Sequence, residues 1–205
     1  LRRAYELLFA CARLHPAHGP LFLAMGRLLY DMGLGAQAAR AFERAVQLLP
    51  HDPHAHYLLG FVYTSLGRES WALMAWRRAV ELAPEAHSLR YDLGSMYVRS
   101  GRYDLASLEF QRVLEQWPDD LETIFMLGLC YKELSDPGHA IQLFEKVLQR
   151  NPRHAQALYY LGACYLQIGN TSLGKAYLRR YDHLSRQSAT SSNGAPRRGA
   201  LAGRL

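Results

Sequence analysis

The chain has little cysteine and less of several other things that would announce a function. Cys11, Cys130 and Cys164 are the three cysteines in 205 residues, and no two stand at CxxC spacing. An odd, scattered set argues against a disulfide framework and against a zinc ribbon. No run of about 18 apolar residues is present, which excludes a hydrophobic transmembrane helix. A basic start followed by an apolar core and a small-residue cleavage site is also missing, so no signal peptide is visible. The first residue is Leu1 rather than Met. A truncated start is therefore expected, with the cytoplasm the favoured location. P-loop, GxSxG and HExxH motifs are absent, and no nucleophile, base and orienting group can be nominated together. The expectation is a protein that is not an enzyme and needs no cofactor or metal.

Net charge is small outside one end. The formal net charge is +6, and residues 185–205 hold four arginines and no acid. Residues 1–184 therefore carry only +2, which does not make a nucleic-acid-binding surface. The end itself, "SRQSATSSNGAPRRGALAGRL", is rich in Ser, Gly, Ala and Arg with little to bury. A disordered basic tail is expected there.

What the sequence has is a period. Prolines fall at Pro16, Pro50, Pro84, Pro118 and Pro152, each step 34. Gly26, Gly60, Gly94, Gly128 and Gly162 repeat the same step of 34. Tyr63, Tyr97, Tyr131 and Tyr165 follow four of these glycines, with Leu29 in the first repeat. A second glycine recurs as Gly33, Gly67, Gly101 and Gly169, with Ser135 in the fourth repeat. Alanine stands at Ala38, Ala72, Ala106 and Ala140, and a large ring at Phe42, Trp76, Phe110 and Phe144. No insertion breaks the register.

Each landmark has a physical reading. Leu58, Leu59, Val62, Tyr63 and Leu66 recur at helical spacing and predict one amphipathic helix. Gly67 then supplies a turn, where positive φ costs glycine little. Ala72, Trp76 and Ala79 share a face of a second helix. Small residues such as Gly60 and Ala72 let the two helices approach. Pro84 cannot continue the second helix. Asp136 and Pro137 predict an N-cap and first helical position.

The pattern, read as "HYLLGFVY…A…W…A…P" and "IFMLGLCY…A…F…V…P", resembles the tetratricopeptide repeat. The opening large residue of the repeat departs from the usual tryptophan and is Phe22, His56, Arg90, Ile124 and Leu158. The resemblance implies an all-α, right-handed superhelical solenoid of helix-turn-helix repeats, with each first helix lining a concave side. Stacking is needed because one hairpin cannot bury its apolar stripe alone. The expected divisions are 1–18 as the second helix of a partial repeat, then repeats at 19–52, 53–86, 87–120 and 121–154. Residues 155–184 form a fifth repeat or capping helices, and 185–205 the tail. Ala4, Leu8 and Cys11 fall in phase with Ala38, Phe42 and Ala45, so the chain is expected to be a fragment of a longer array, with an odd capping helix the alternative.

Several local patterns fit the repeat better than a reaction. His51, His54 and His56 lie within six residues, but two residues apart on a helix means about 200° apart, unlike a helical zinc pair. They are expected to be seam residues, with His56 packed against a neighbouring helix and His54 at a groove edge. "GLGAQA" at 33–38 matches a dinucleotide fingerprint, yet a helix rather than a strand precedes it. Cys130 and Cys164 are equivalent positions expected to be small buried hydrophobes.

The resemblance also places candidate binding residues on the concave side. They are Leu23, Arg27, Tyr30, Tyr57, Phe61, Tyr91, Ser95, Arg99, Phe125, Leu129, Lys132, Glu133 and Tyr159. Phe61 and Leu129 are apolar where the family often keeps a polar residue. Tyr57 with Phe61, and Phe125 with Leu129, are i,i+4 pairs that form adhesive patches if exposed, or are covered if the solenoid curls over them. The clamp by which co-chaperone relatives hold a C-terminal carboxylate does not assemble in any register, which disfavours that role. The function expected is a scaffold binding a protein or peptide partner through aromatic and apolar anchors. The alternatives are the targeting region of an enzyme such as a glycosyltransferase or protease, and a self-assembling homo-oligomer. Nucleic acid is not an expected partner.

Overall fold

A computed structural model describes residues 2–193. Among them are eleven α-helices and no strand. The chain divides into two compact units, Leu1–Pro118 and Asp119–Leu205.

The first unit holds α1 (Arg2–Leu14), α2 (Gly19–Asp31), α3 (Gly35–Leu48), α4 (Pro53–Ser65), α5 (Glu69–Leu82), α6 (His87–Arg99) and α7 (Tyr103–Gln116). Helices adjacent in the chain pack on each other throughout. Ala38, Phe42 and Ala45 of α3, Ala72, Trp76 and Ala79 of α5, and Ala106, Phe110 and Val113 of α7 are all buried. The glycines opposite them are required by close approach. A Cβ on Gly94 would stand 2.7 Å from the Phe110 ring, and one on Gly26 2.6 Å from Phe42. A larger residue at Gly94 therefore displaces a ring that has nowhere to go. Ala4 and Cys11 of α1 are exposed and Leu8 is half-buried, while α1 packs on α2.

The second unit holds α8 (Leu121–Glu133), α9 (Pro137–Arg150), α10 (Ala155–Gln167) and α11 (Thr171–Asn193). Its core repeats the arrangement, with Ala140, Phe144 and Val147 buried against α8 and Gly128 facing Phe144. Leu127 is buried as well.

The turns follow one design. In each pair the second turn residue has positive φ, at Gly33, Gly67, Gly101, Ser135 and Gly169. The next amide reaches back to close the helix end, as Arg68 N–H does to the Tyr63 carbonyl at 2.9 Å and Asp136 N–H to Tyr131 at 2.8 Å. This is the six-to-one bond of a Schellman cap. Asp136 also caps α9 through the His139 amide, and Pro137 opens that helix. Asp52 caps α4 in the same manner.

One expectation fails in part. Residues 185–193 are helical rather than disordered, because α11 runs on to Asn193. That stretch contains no glycine or proline until Gly194 and Pro196, so nothing in it breaks a helix. Gln187 is held by the Arg153 guanidinium at 3.0 Å. The rest of the expected tail, 194–205, lies outside the described residues. Among the described residues no helix is long and apolar enough to cross a membrane.

Candidate functional site

The first helices α2, α4 and α6 carry the predicted residues of the first unit. Leu23, Tyr30, Tyr57, Tyr91 and Ser95 are half-buried, while Arg27 and Arg99 are exposed. Phe61 keeps 44% of its surface open. Tyr30 meets the Phe61 ring edge-on at 5.3 Å, so α2 and α4 together present one aromatic pair. Arg27 and His54 are hydrogen-bond partners, and His54 stacks over Tyr57 at 6.1 Å. Leu23, Arg27, Asp31 and His54 line an open cleft of about 540 Å³ that α1 borders with Ala4 and Leu8. On α6, Tyr91 leans on Phe110 at 5.7 Å, and Ser95 and Arg99 follow at helical spacing.

In the second unit the outcome differs. Phe125 is buried, 4% exposed, and is not an open anchor. It packs on Phe144 at 5.7 Å and is covered by His154 at 4.9 Å and Tyr160 at 6.0 Å. Tyr160 was missed in the sequence because its position carries Ala24, Leu58, Asp92 and Met126 in the other repeats. Its ring does the covering, and the neighbouring Tyr159 is left 45% exposed. Tyr159 touches Tyr160 at 5.2 Å and Tyr181 of α11 at 5.4 Å. Leu129 is half-buried. Lys132 lies 5.6 Å from the Tyr160 ring centre and pairs with the exposed Glu133 at 2.6 Å. That pairing holds the Lys132 ammonium above its ordinary pKa.

The remaining titratable groups belong to packing. Burial, and then the nearby Asp92 carboxylate, pushes the Tyr57 phenol up. Burial raises Asp92 too, with His87 pulling the other way. Cys130 and Cys164 are free and buried; burial pushes the Cys130 thiol up to about 12 and raises Cys164 as well. Thiols held protonated in this way are poor nucleophiles. His56 is buried, with its Nε2 3.1 Å from the Pro50 carbonyl oxygen. Among the described residues no three His, Cys, Asp or Glu side chains gather as a metal site would need. Gly33 and Ala38 of "GLGAQA" are a turn glycine and a core alanine, with α2 rather than a strand before them.

Comparison with known proteins agrees with this architecture. The tetratricopeptide repeat family model matches residues 23–76 and 71–120. The model described as anaphase-promoting complex, cyclosome, subunit 3 matches residues 99–181. No curated protein matches the sequence. Among solved structures, YrrB, described as a TPR protein with an unusual peptide-binding site, is similar with a TM-score of 0.78 and 22% identity, over 92% of this chain and 97% of that one. MamA is similar with a TM-score of 0.75 and 21% identity, over 81% of this chain and 97% of that one. A MamA from Desulfovibrio magneticus RS-1 is similar with a TM-score of 0.76 and 19% identity, over 82% of this chain and 96% of that one. Identities this low speak for the fold alone. With two family models running across residues 23–181 and the same helical pairs in both units, the chain belongs to the tetratricopeptide repeat family.

Proposed function

We propose that this chain is a non-catalytic scaffold whose first-helix face binds a peptide or helix of a partner protein. The observation that carries the reading is Phe61, a phenylalanine 44% open to water on a helix that buries most of its other large residues. Tyr30 fixes the ring from one side, so an incoming apolar side chain meets a rigid pair and loses little freedom on binding. Rigid aromatic pairs of this kind are frequent hot spots. In the first unit Arg27 and Arg99, and in the second unit Lys132 and Glu133, lie on the first helices beside these rings and select the charge of what docks there. Tyr159 takes the anchoring role in the second unit in place of the buried Phe125. The peptide-binding site in the description of YrrB supports the class of ligand.

The test is calorimetric titration of the full chain with a segment of a captured partner. Phe61→Ala should weaken binding by about 2–4 kcal/mol with no loss of helical signal. Unchanged affinity for Phe61→Ala and Tyr159→Ala alike would reject the face.

A further inference from the structure

The second helices carry an apolar surface that the first-helix face does not explain. On α5, Trp71 is 59% exposed and Met74 66% exposed. They are three residues apart and share one stripe. The repeat lets this stripe be compared with itself. The equivalent pairs are Gln37 with Arg40, then Trp71 with Met74, then Leu105 with Leu108, then His139 with Gln142. The pairs on either side are polar, and the two between them are apolar. Leu108 is itself 50% exposed. Ala72, Trp76 and Ala79 fill the core of this pair from α5, while Trp71 touches only the edge of it, 6.0 Å from the Tyr63 ring of α4.

Two clefts open beside this surface within the first unit. One, of about 540 Å³, is lined by Trp71, Met74, Tyr63 and Leu59. The other, of about 520 Å³, is lined by Arg77, Arg90, Arg102 and Arg112. Arg77 and Glu81 border both, so the clefts are neighbours. Their acids are already engaged. Glu43 accepts from the Tyr63 hydroxyl at 2.7 Å, and Glu81 pairs with Arg78 at 3.1 Å. Glu109 lies between Arg90 at 3.0 Å and Arg112 at 3.1 Å. Arg77 has no carboxylate partner among the described residues, and Arg102 lies over the Tyr97 ring at 5.4 Å instead of on an acid.

We infer that this second-helix face docks an acidic protein segment with an apolar anchor, the anchor seated on Trp71 and Met74 and its carboxylates on Arg77 and Arg102. The charge balance selects that occupant. A guanidinium left without an acid beside an apolar cleft is completed by a carboxylate, in the planar fork that arginine favours. A nucleic acid backbone fits less well, because it carries no aliphatic or aromatic side chain to seat on Trp71 and Met74, and two guanidiniums without acids neutralise few phosphates. A lipid surface fits less well too, because the apolar stripe is short and gives way to the polar Gln37 and Arg40 at the equivalent places of α3.

The experiment selects a phage-displayed library of random peptides on the full chain, then scores the peptides on variants. All three targets are exposed, so Met74→Glu and Arg77→Glu should melt like the wild type, and Trp71→Ala, which gives up its contact with Tyr63, should melt slightly lower but fold. The expected result is a class of peptides with aromatic or aliphatic residues next to Asp or Glu. Their binding should fall about tenfold or more on Trp71→Ala and Met74→Glu and be indifferent to Phe61→Ala. Arg77→Glu should turn the selection toward Lys and Arg. The inference is overturned if no selected class responds to Trp71→Ala and Met74→Glu, or if the responding class has no acidic bias. It is equally overturned if a single-stranded oligonucleotide displaces that class, or if light scattering shows a self-association that Met74→Glu abolishes, which would give the face to a second copy. Because Phe61→Ala reads the first-helix face separately, either proposal can fail without the other.

Discussion

Tyr57 of α4 and Phe125 of α8 are two repeat lengths apart and occupy the same place on the first helix, yet one is half-exposed and the other sealed. Each ring leans on the large ring of its own second helix, Tyr57 on Trp76 at 4.8 Å and Phe125 on Phe144 at 5.7 Å. What separates them is the cover. His54 stacks on Tyr57 and leaves it accessible, whereas Phe125 has both His154 and Tyr160 over it. Place in the repeat sets the direction of a side chain, and a residue from the next repeat decides whether anything can reach it.

The largest test of that comparison is a pair of truncations read by urea denaturation. Phe125→Ala should cost about 3–5 kcal/mol, as for a buried aromatic. Phe61→Ala removes a ring already half in water and should cost less than about 1 kcal/mol. Equal losses would mean that Phe61 is core, and the first-helix face would no longer offer an anchor.

The repeat landmarks were legible because a contact within one helix pair enforces each of them. Gly94 lies under Phe110, and Gly67 carries φ of 69° where a side chain would be strained. Such rules recur every 34 residues and leave a period in the sequence. The same locality made Asp136 with Pro137 readable as a helix start. Access to the faces was not legible. Phe125 is hidden by Tyr160, a position outside the repeat signature. Trp71 and Met74 also fall at positions that the signature leaves open, so their composition alone did not say that they face water. The helix through 185–193 was not legible either, because small polar residues resemble a disordered tail in composition even where no breaker interrupts them.

Where the two units differ in cover, they agree in a hydrogen bond, and alkaline titration exposes it. The Tyr63 hydroxyl donates to Glu43 at 2.7 Å in the first unit, and the Tyr165 hydroxyl to Glu145 at 2.6 Å in the second. Burial and then the Glu43 carboxylate push the Tyr63 phenol up to about 12. At Tyr165 the hydrogen bond to Glu145 leads and burial follows, again to about 12. The folded chain thus keeps these protons at a pH where the unfolded chain has lost them. Their stabilisation is complete below pH 10 and is lost as pH rises toward 12. The denaturation midpoint should fall across that window, with Tyr63 accounting for on the order of 2 kcal/mol. Tyr63→Phe should flatten its share of the fall, and an unaltered profile in that variant would show that the bond to Glu43 does not matter.

The smallest effect belongs to the one turn where the units depart in sequence. Ser135 has φ of 61°, in the region that Gly33, Gly67, Gly101 and Gly169 occupy at the other turns. A side chain there costs roughly 1–2 kcal/mol in steric strain, and among the described residues the Ser135 hydroxyl makes no hydrogen bond that offsets it. The closing bonds are backbone, from Ser135 N–H to the Lys132 carbonyl at 3.1 Å and from Asp136 N–H to Tyr131 at 2.8 Å, so they survive substitution. Glycine loses more entropy on folding, by roughly 0.5–1 kcal/mol, which takes back part of the gain. Ser135→Gly should therefore stabilise the second unit by about 0.5–1 kcal/mol, read as a shift in the urea midpoint with an unchanged slope. A loss of stability would mean that the serine holds this turn by an interaction the glycine turns do without, and the two units would then close their hairpins by different physics.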